Sequence, residues 1–340
     1  MFKYAPDLHQ VAIKVIGIGR SGGSIIDHIM NADMQIVECF SVDTNAQALS
    51  KIDTKFALQV GTEITNGMGA GLNPDIGRQA AQIDRHQIQQ LINGTDLLIL
   101  TAGMGGGTGS GAIPVIASIA KDLGVLTVAV VTKPLPFEDR KRLKIAEDGL
   151  VELRQHVDSL IVVSNDKLIT RLPNNATLLQ LMKAANEEVL QVVRCISQLL
   201  SNSGLVGVDF SDIRSVLSNA GTTAFGSGYS SGEGRATAAA RIAVDELHLQ
   251  SVNIALAESI MCNISAGVDF SLREYEEVGD ILATFLSPEK SIVIGDTIKQ
   301  TVSAQVQVSI LAAGIDNPQT PGHTLKRKTS HRAAKAFSSC

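Results

Sequence analysis

The amino-acid sequence predicts an α/β protein: a doubly wound, mostly parallel sheet, one long central helix, and a smaller α+β domain behind it. Three observations predict this. Short runs of Val, Ile and Leu alternate with helical segments through the first half of the chain. Two of those runs end in glycine-rich turns, and an unbroken helical pattern covers Thr177–Leu200.

Taken in order, Val11–Gly19 (VAIKVIGIG) reads as a strand, followed by a glycine-rich turn and a helix over Ile25–Met30. Further strands are predicted at Val37–Asp43, Asp96–Thr101, Val125–Thr132 and Ser159–Ser164, with helices at Gly77–Ile92 and Ala112–Leu123. Aliphatic runs without polar alternation imply strands covered on both faces, as in parallel sheets flanked by helices. The long helix stops at Ser201-Asn202-Ser203-Gly204, a set of turn formers. Beyond it, helices are expected at Ile213–Ser218, Arg235–Leu247 and Leu272–Phe285, and strands at Ser251–Ile264, Lys290–Ile294 and Ala304–Ala313. The expected division is an N-terminal extension (1–10), a nucleotide-binding domain (11–176), the central helix with an acidic loop (177–212), a C-terminal α+β domain (213–316) and a basic, disordered tail (317–340).

Composition excludes several function classes. Aromatic residues are 4% of the 340, Trp is absent and the formal net charge is −5, which argues against stacking on or neutralising nucleic acid. The four cysteines form no CxxC and no ligand-spaced set with the seven histidines, so no metal centre is expected. Cys39 and Cys262 sit in apolar runs and read as small buried hydrophobes in a reduced compartment. No apolar run approaches the roughly 20 residues of a membrane span, and MFKYAPDLHQ does not resemble a signal peptide.

The two glycine loops carry the chemistry. Gly17-Ile18-Gly19-Arg20-Ser21-Gly22 is a GxGxxG after a strand, and Asp43 ends the next strand where a ribose-binding acid would sit. Alone, that pattern suggests an NAD-dependent oxidoreductase. The second loop, Gly103-Met104-Gly105-Gly106-Gly107-Thr108-Gly109-Ser110-Gly111, has six glycines in nine residues and leads into a helix. So costly a set of flexible residues makes sense if consecutive N–H groups converge on an anion, with a helix dipole behind them and the Thr108 hydroxyl as a further donor. No Gly-Lys-Ser/Thr is present, so it is not a Walker A loop. Two phosphate loops on one sheet suit a nucleoside di- or triphosphate better than a dinucleotide.

TAGMGGGTGSG resembles the GGGTGT/SG signature of the tubulin and FtsZ family. The similarity runs from about Ile13 to Ile315 and includes Asn73-Pro74 in GAGLNPDIGR, Thr132-Lys133-Pro134 with Phe137-Glu138, Asn165-Asp166-Lys167-Leu168, Ala185-Asn186 and Val208-Asp209-Phe210-Ser211-Asp212. The resemblance implies a cytoplasmic GTPase acting at the bacterial division site. It implies binding of GTP or GDP with Mg²⁺ and head-to-tail assembly with copies of itself into filaments, with a second family copy and other division proteins as further partners.

By the same resemblance, Gly19, Gly22 and Gly23, with Arg20 and Ser21 between them, and Gly103, Gly105, Gly106, Gly107, Thr108 and Gly109 would hold the phosphates. Ala70, Gly71 and Asn73 would lie by the γ-phosphate. Thr132, Pro134, Glu138, Arg142 and Asn165 would surround the ribose and base, Met182 would pack on guanine, and Asn186 and Glu187 would read it. Asp209 and Asp212 match the acidic loop that enters the next subunit's pocket and acts catalytically there. Read without the resemblance, Asp212 is a helix N-cap and Asp209 a solvated loop acid.

Departures from the family pattern lead us to expect lower affinity or turnover. Arg20-Ser21 replaces glycines, Ser24 an Asn, Asp43-Thr44-Asn45 the usual Asn-Thr-Asp, Met182 an aromatic, Glu187 an Asp, Asp139 a Gly and Gly207 an Asn. The usual terminal peptide is not visible; the basic tail allows weak contact with acidic lipids, at up to about 1 kcal/mol per charge. The rival readings are a non-hydrolysing filament component and, more remotely, the oxidoreductase.

Overall fold

The structure is a computed structural model that describes residues 11–32, 34, 36–52, 56–200, 205–249, 254–285, 290–299 and 304–315. The expected N-terminal extension and basic tail lie outside the described residues. The first unit runs β1 (Ile13–Ile18), α1 (Gly19–Asn31), β2 (Val37–Asp43), α2 (Ala46–Leu49), β3 (Ala57–Gln59), α3 (Thr62–Thr65), α4 (Pro74–Ile83) and α5 (Arg85–Ile92). It continues through β4 (Leu97–Gly103), α6 (Gly107–Asp122), β5 (Leu126–Thr132), α7 (Arg140–Leu153), β6 (Ser159–Val163) and α8 (Asn165–Arg171). Then come α9 (Leu178–Leu199), α10 (Phe210–Leu217), β7 (Gly221–Thr222), β8 (Ala224–Ser231), α11 (Arg235–Leu249), β9 (Ser259–Gly267), α12 (Leu272–Ala283), β10 (Ser291–Lys299) and β11 (Gln305–Ala313).

The first sheet has the order β3-β2-β1-β4-β5-β6-β7, with every pairing parallel. Its central strands β1, β4 and β5 are almost wholly buried, as near-continuous aliphatic runs require. Strand order reverses between β1 and β4, so the chain leaves those two neighbours in opposite directions and opens a crevice at their carboxyl ends. The register Gly17↔Thr101 and Ile18↔Ala102 sets the two glycine loops side by side at that point. The second sheet, β10-β9-β11-β8, is mixed: β10 runs parallel to β9, and β11 runs antiparallel to both β9 and β8.

Helix α9 joins the two. Thr177 caps it and Gln180 reciprocates, the Thr177 N–H donating to Gln180 Oε1 at 2.7 Å. Val189, Val192, Val193 and Ile196 are fully buried in one cluster with Val15 and Ile99 of the first sheet and with Met261 and Leu311 of the second. Arg171 at the end of α8 adds a polar tie, reaching Glu188 of α9 at 2.9 Å and Glu246 of α11 at 3.2 Å.

Several expected boundaries shift, each for a local reason. Half of each glycine loop is already helix, because α1 starts at Gly19 and α6 at Gly107. The helix expected over Gly77–Ile92 is two, broken at Asp84, whose carboxylate leaves the helical pattern to accept the Gly61 N–H at 2.6 Å. The helix expected from Ile213 starts at Phe210, so Asp209 and not Asp212 is its N-cap. The strand expected from Ser251 begins at Ser259. Strand β8 (AFGSGYSS) lacks a hydrophobic signature because α11 lies directly on its backbone: a Cβ at Gly228 would fall 1.9 Å from the Ala239 carbonyl oxygen.

Because α9 is core to both sheets, truncating it should weaken the whole chain. Ile196→Ala is expected to cost about 2–5 kcal/mol, measured as a lower urea midpoint followed by probes in both domains; a loss confined to one domain would contradict the shared core.

Candidate functional site

Two helix N-termini face the crevice. Neither α1, with Ile18 at its N-cap, nor α6, with Gly106, has a side-chain cap, whereas Asn45, Asn73, Asp139 and Thr177 cap α2, α4, α7 and α9. Apart from the Gly107 N–H, which bonds the Gly71 oxygen, the first-turn N–H groups of α1 and α6 therefore remain as donors at a cavity of about 380 Å³. Gly19, Arg20, Ser21, Gly71, Thr108 and Arg142 are among its lining residues.

Backbone packing dictates the glycines. A Cβ on Gly107 would lie 2.7 Å from the carbonyl oxygens of both Ala70 and Asn73. The Gly107 N–H instead donates to the Gly71 oxygen at 2.8 Å, which locks the 70–73 loop to the start of α6. Ala70 and Gly71 line the cavity; Asn73 stands behind them as the cap of α4, its Oδ1 accepting the Asp75 N–H at 3.0 Å. Gly105 is held by a bond from its N–H to Ser110 Oγ at 2.8 Å. The Thr108 hydroxyl is bonded to that of Thr44 at 2.7 Å, with either oxygen able to donate, so Thr108 keeps its proton for an anion where Thr44 is the donor.

The residues expected around ribose and base form two groups. Arg142 bonds Glu138 at 3.1 Å, Glu138 accepts the Leu135 N–H at 2.9 Å, and Asn165 donates to the Lys133 oxygen at 2.6 Å. Thr132 and Pro134 lie on the same stretch at the end of β5, where the Gly105 backbone packs against Pro134 and Arg142. Asn165 is buried and its Oδ1 has no partner. The second group lies where α9 crosses α1. Asn186 donates to Ser24 Oγ at 3.2 Å, and Glu187 meets His28 Nε2 at 2.9 Å. Partial burial works against the Glu187 carboxylate, but hydrogen bonds from His28 and Gln191 and the Arg194 charge outweigh it, holding the carboxyl below its ordinary value. Met182, on the same helix, is exposed.

Three features were missing from the expected phosphate and base contacts. Asp43, read from sequence only as the ribose acid of a dinucleotide site and as a departure from the family pattern, lines the phosphate side of the cavity. Burial pushes its carboxyl above the usual range, while the Asn45 and Thr44 amides and the Arg20 charge pull the other way. Met68, Gly69 and Leu72 complete one wall. His28 is the third, and its spacing was the available signal: Ser24 and His28, one helical turn apart, meet the adjacent Asn186 and Glu187.

A glycine-rich cradle flanked by two helix N-termini fits the phosphates of a nucleotide, and Asn165, outside the cavity's lining, keeps an unpaired buried carbonyl oxygen. Asp43 and Thr108 line the cavity with a carboxylate and a hydroxyl, and Thr44 bonds Thr108; these oxygens would suit a cation such as Mg²⁺ that binds a carboxylate together with phosphates. The acidic loop is elsewhere. Asp209 caps α10, its N–H bonded to Asp212 Oδ2 at 3.0 Å, beyond the C-terminal end of α9. From Glu187, where α9 crosses α1, to Leu199 at the end of α9 is about 18 Å, and Asp209 and Asp212 lie beyond it and do not line the crevice.

Comparison with known proteins follows this geometry. Residues 12–172 match the model of the tubulin/FtsZ family GTPase domain, and 221–316 that of the FtsZ family C-terminal domain. The chain is 45% identical over 303 residues to the cell division protein FtsZ of Coxiella burnetii, covering 89% of this chain and 78% of that one. The chain belongs to the FtsZ family. Family membership replaces the dehydrogenase reading of the first loop. Azotobacter vinelandii FtsZ is 43% identical, covering 93% of this chain and 80% of its own. Among solved structures, the empty FtsZ dimer of M. jannaschii superposes with a TM-score of 0.85 at 34% identity, covering 91% and 89% of the two chains. CetZ2 of Haloferax volcanii, a GTPγS-bound protofilament, shares the fold alone, with a TM-score of 0.75 at 20% identity and coverage of 90% and 94%. Among the described residues no helix is long and apolar enough to cross a membrane.

A family Asn stands where this chain has Asp43. Since its folded pKa is raised, Asp43 contributes a penalty that is full above that pKa and relieved as pH falls toward the ordinary carboxylate value. Asp43→Asn should therefore raise Tm at pH 7, with the gain shrinking on acidification; a gain independent of pH would show that the charge is not its source.

Proposed function

We propose that this cell-division GTPase binds GTP in the crevice between β1 and β4 and hydrolyses it only when the next subunit's Asp209 and Asp212 close the site. The observation that carries this is that neither aspartate lines the crevice: both lie beyond the C-terminal end of α9, which itself runs about 18 Å past Glu187, where the helix crosses α1. Such a contact joins unlike surfaces and does not close on itself, so it propagates head to tail into a filament. Residues 11–176 hold the nucleotide, 177–212 supply the spacer and acidic loop, and 213–316 support that loop. The setting is the cytoplasm at the division site, with other copies of the chain as the first partners.

In the crevice, amides at the starts of α1 and α6 bind the phosphates, and Glu138 and Arg142 border the ribose. Glu187 accepts the guanine N1–H and exocyclic amine. A carboxylate has about four acceptor positions, so its bonds to His28 and Gln191 leave room for the base. From the neighbour, Asp209 and Asp212 orient a water and take up its proton as its oxygen bonds to the γ-phosphorus and the bond to the β-phosphate oxygen breaks, giving GDP and phosphate. Mg²⁺ offsets charge on the phosphates.

Turnover below that of typical relatives is supported by Arg20, Ser21 and Met182 and by Gly207 beside the catalytic pair. These same replacements favour the second reading, a filament component that binds GTP without cleaving it. Phosphate release by sedimenting filaments separates the two.

Asp212→Ala should lower phosphate release on the order of 10²-fold or more while leaving GTP binding intact, since it lies far from its own pocket; unchanged release would overturn catalysis in trans. Glu187→Ala should cut the preference for GTP over ITP, which lacks the exocyclic amine, by about 10–100-fold, the worth of a hydrogen bond to a charged group. Competition binding of the two nucleotides gives the ratio directly.

A further inference from the structure

The catalytic loop is anchored by a residue outside the loop itself. Asp296 on β10 is 5% exposed, and its two carboxylate oxygens accept the backbone N–H groups of Leu205, at 2.9 Å, and Val206, at 2.6 Å. Next to it, Gly295 leaves the space that Val208 and Leu199 fill: a Cβ there would lie 2.6 Å and 2.5 Å from them. The segment 205–208 thus lies on the Gly295-Asp296 dipeptide of the second sheet and then delivers Asp209 and Asp212 to the first turn of α10.

The anchor matters because the loop has little else. Leu205 is exposed at 87%, Val206 is also exposed, and Gly207 meets nothing within 4 Å of where a Cβ would be. Glycine at 207 adds backbone freedom two residues before the first catalytic carboxylate. Two charge-assisted hydrogen bonds to one buried acceptor are the strongest restraint available to so exposed a segment. Displacing a catalytic group by about 1 Å can cost as much as 10²-fold in rate.

We propose that Asp296 is a positioning residue for hydrolysis in the neighbouring subunit: it holds residues 205–206 so that Asp209 and Asp212 enter the adjacent pocket in register. The proposal rests on the reading that those two aspartates act in trans. It assigns a role in catalysis to the second sheet, which touches no nucleotide of its own chain.

The test compares full-length wild type with Asp296→Ala, Asp296→Asn and Asp212→Ala. The Ala variant should lose at least fivefold in kcat, with the GTP concentration for half-maximal turnover and the sedimented fraction in a non-hydrolysable GTP analogue both unchanged. Amide exchange at Leu205 and Val206 should accelerate in the same variant. The Asn variant keeps one acceptor oxygen and should fall between it and wild type; being nearly isosteric, it also serves should the Ala variant fail to fold. Faster exchange with unaltered kcat would overturn the proposal. A parallel loss of assembly and turnover would also overturn it, showing a role in the contact surface. Full turnover in Asp212→Ala would instead remove the underlying reading, whatever Asp296 does.

Discussion

One helix buried against two sheets is the constraint from which the rest follows. Val189, Val192, Val193 and Ile196 are packed by the first sheet on one side and by the second on the other. Each such side chain contributes about 1.5–3 kcal/mol of burial, and none can leave without exposing both domains. The helix therefore acts as a ruler of fixed length. Its middle crosses α1 at Ser24 and His28 and its C-terminal end leads toward the acidic loop, so crevice and loop are held apart within a protomer. Chemistry that needs both must recruit a second copy, and the second copy then needs a third.

At the crevice the chain offers an anion mainly backbone N–H groups, those at the starts of α1 and α6. Side chains are excluded where the 70–73 loop meets the start of α6, because carbonyl oxygens already occupy the space. That close approach explains why glycines cluster there. It also explains why two uncapped helix ends can point at one cavity. The charged side chains at its rim largely answer each other: Arg20 offsets the buried Asp43, Arg142 pairs with Glu138, and His28 pairs with Glu187.

Much of this was legible in sequence, and the reason is physical. Strands β1, β4 and β5 are covered on both faces, so their aliphatic runs are nearly continuous and visible. The second glycine loop stands out because its composition has no other good use. Harder to see were β8, whose glycines make way for α11, and α7, whose charged surface (RKRLKIAEDGLVEL) hides a narrow buried stripe of Ala146, Gly149 and Leu153. Site residues that act alone through the backbone were found from their own segments. The pairing of His28 with Glu187 was not, because Glu187 was read from its own segment and His28 is not unusual by itself.

The same distinction governs how the departures from the family pattern should be judged. Considered singly, Arg20 in a glycine loop and Asp43 against a polyphosphate each look damaging. Together they place a cation beside the anion that would otherwise repel the ligand. Ser24 keeps a hydroxyl for Asn186, so the crossing of α1 and α9 survives the loss of the family's amide. Gly207 removes a side chain from the acidic loop, while Asp296 fastens that loop's backbone from the opposite sheet. A chain that had drifted out of use would be expected to accumulate isolated losses. Here three of the replaced positions lie beside a residue that answers the change in charge, hydrogen bonding or backbone freedom, and that pattern favours a working enzyme over an inert filament subunit.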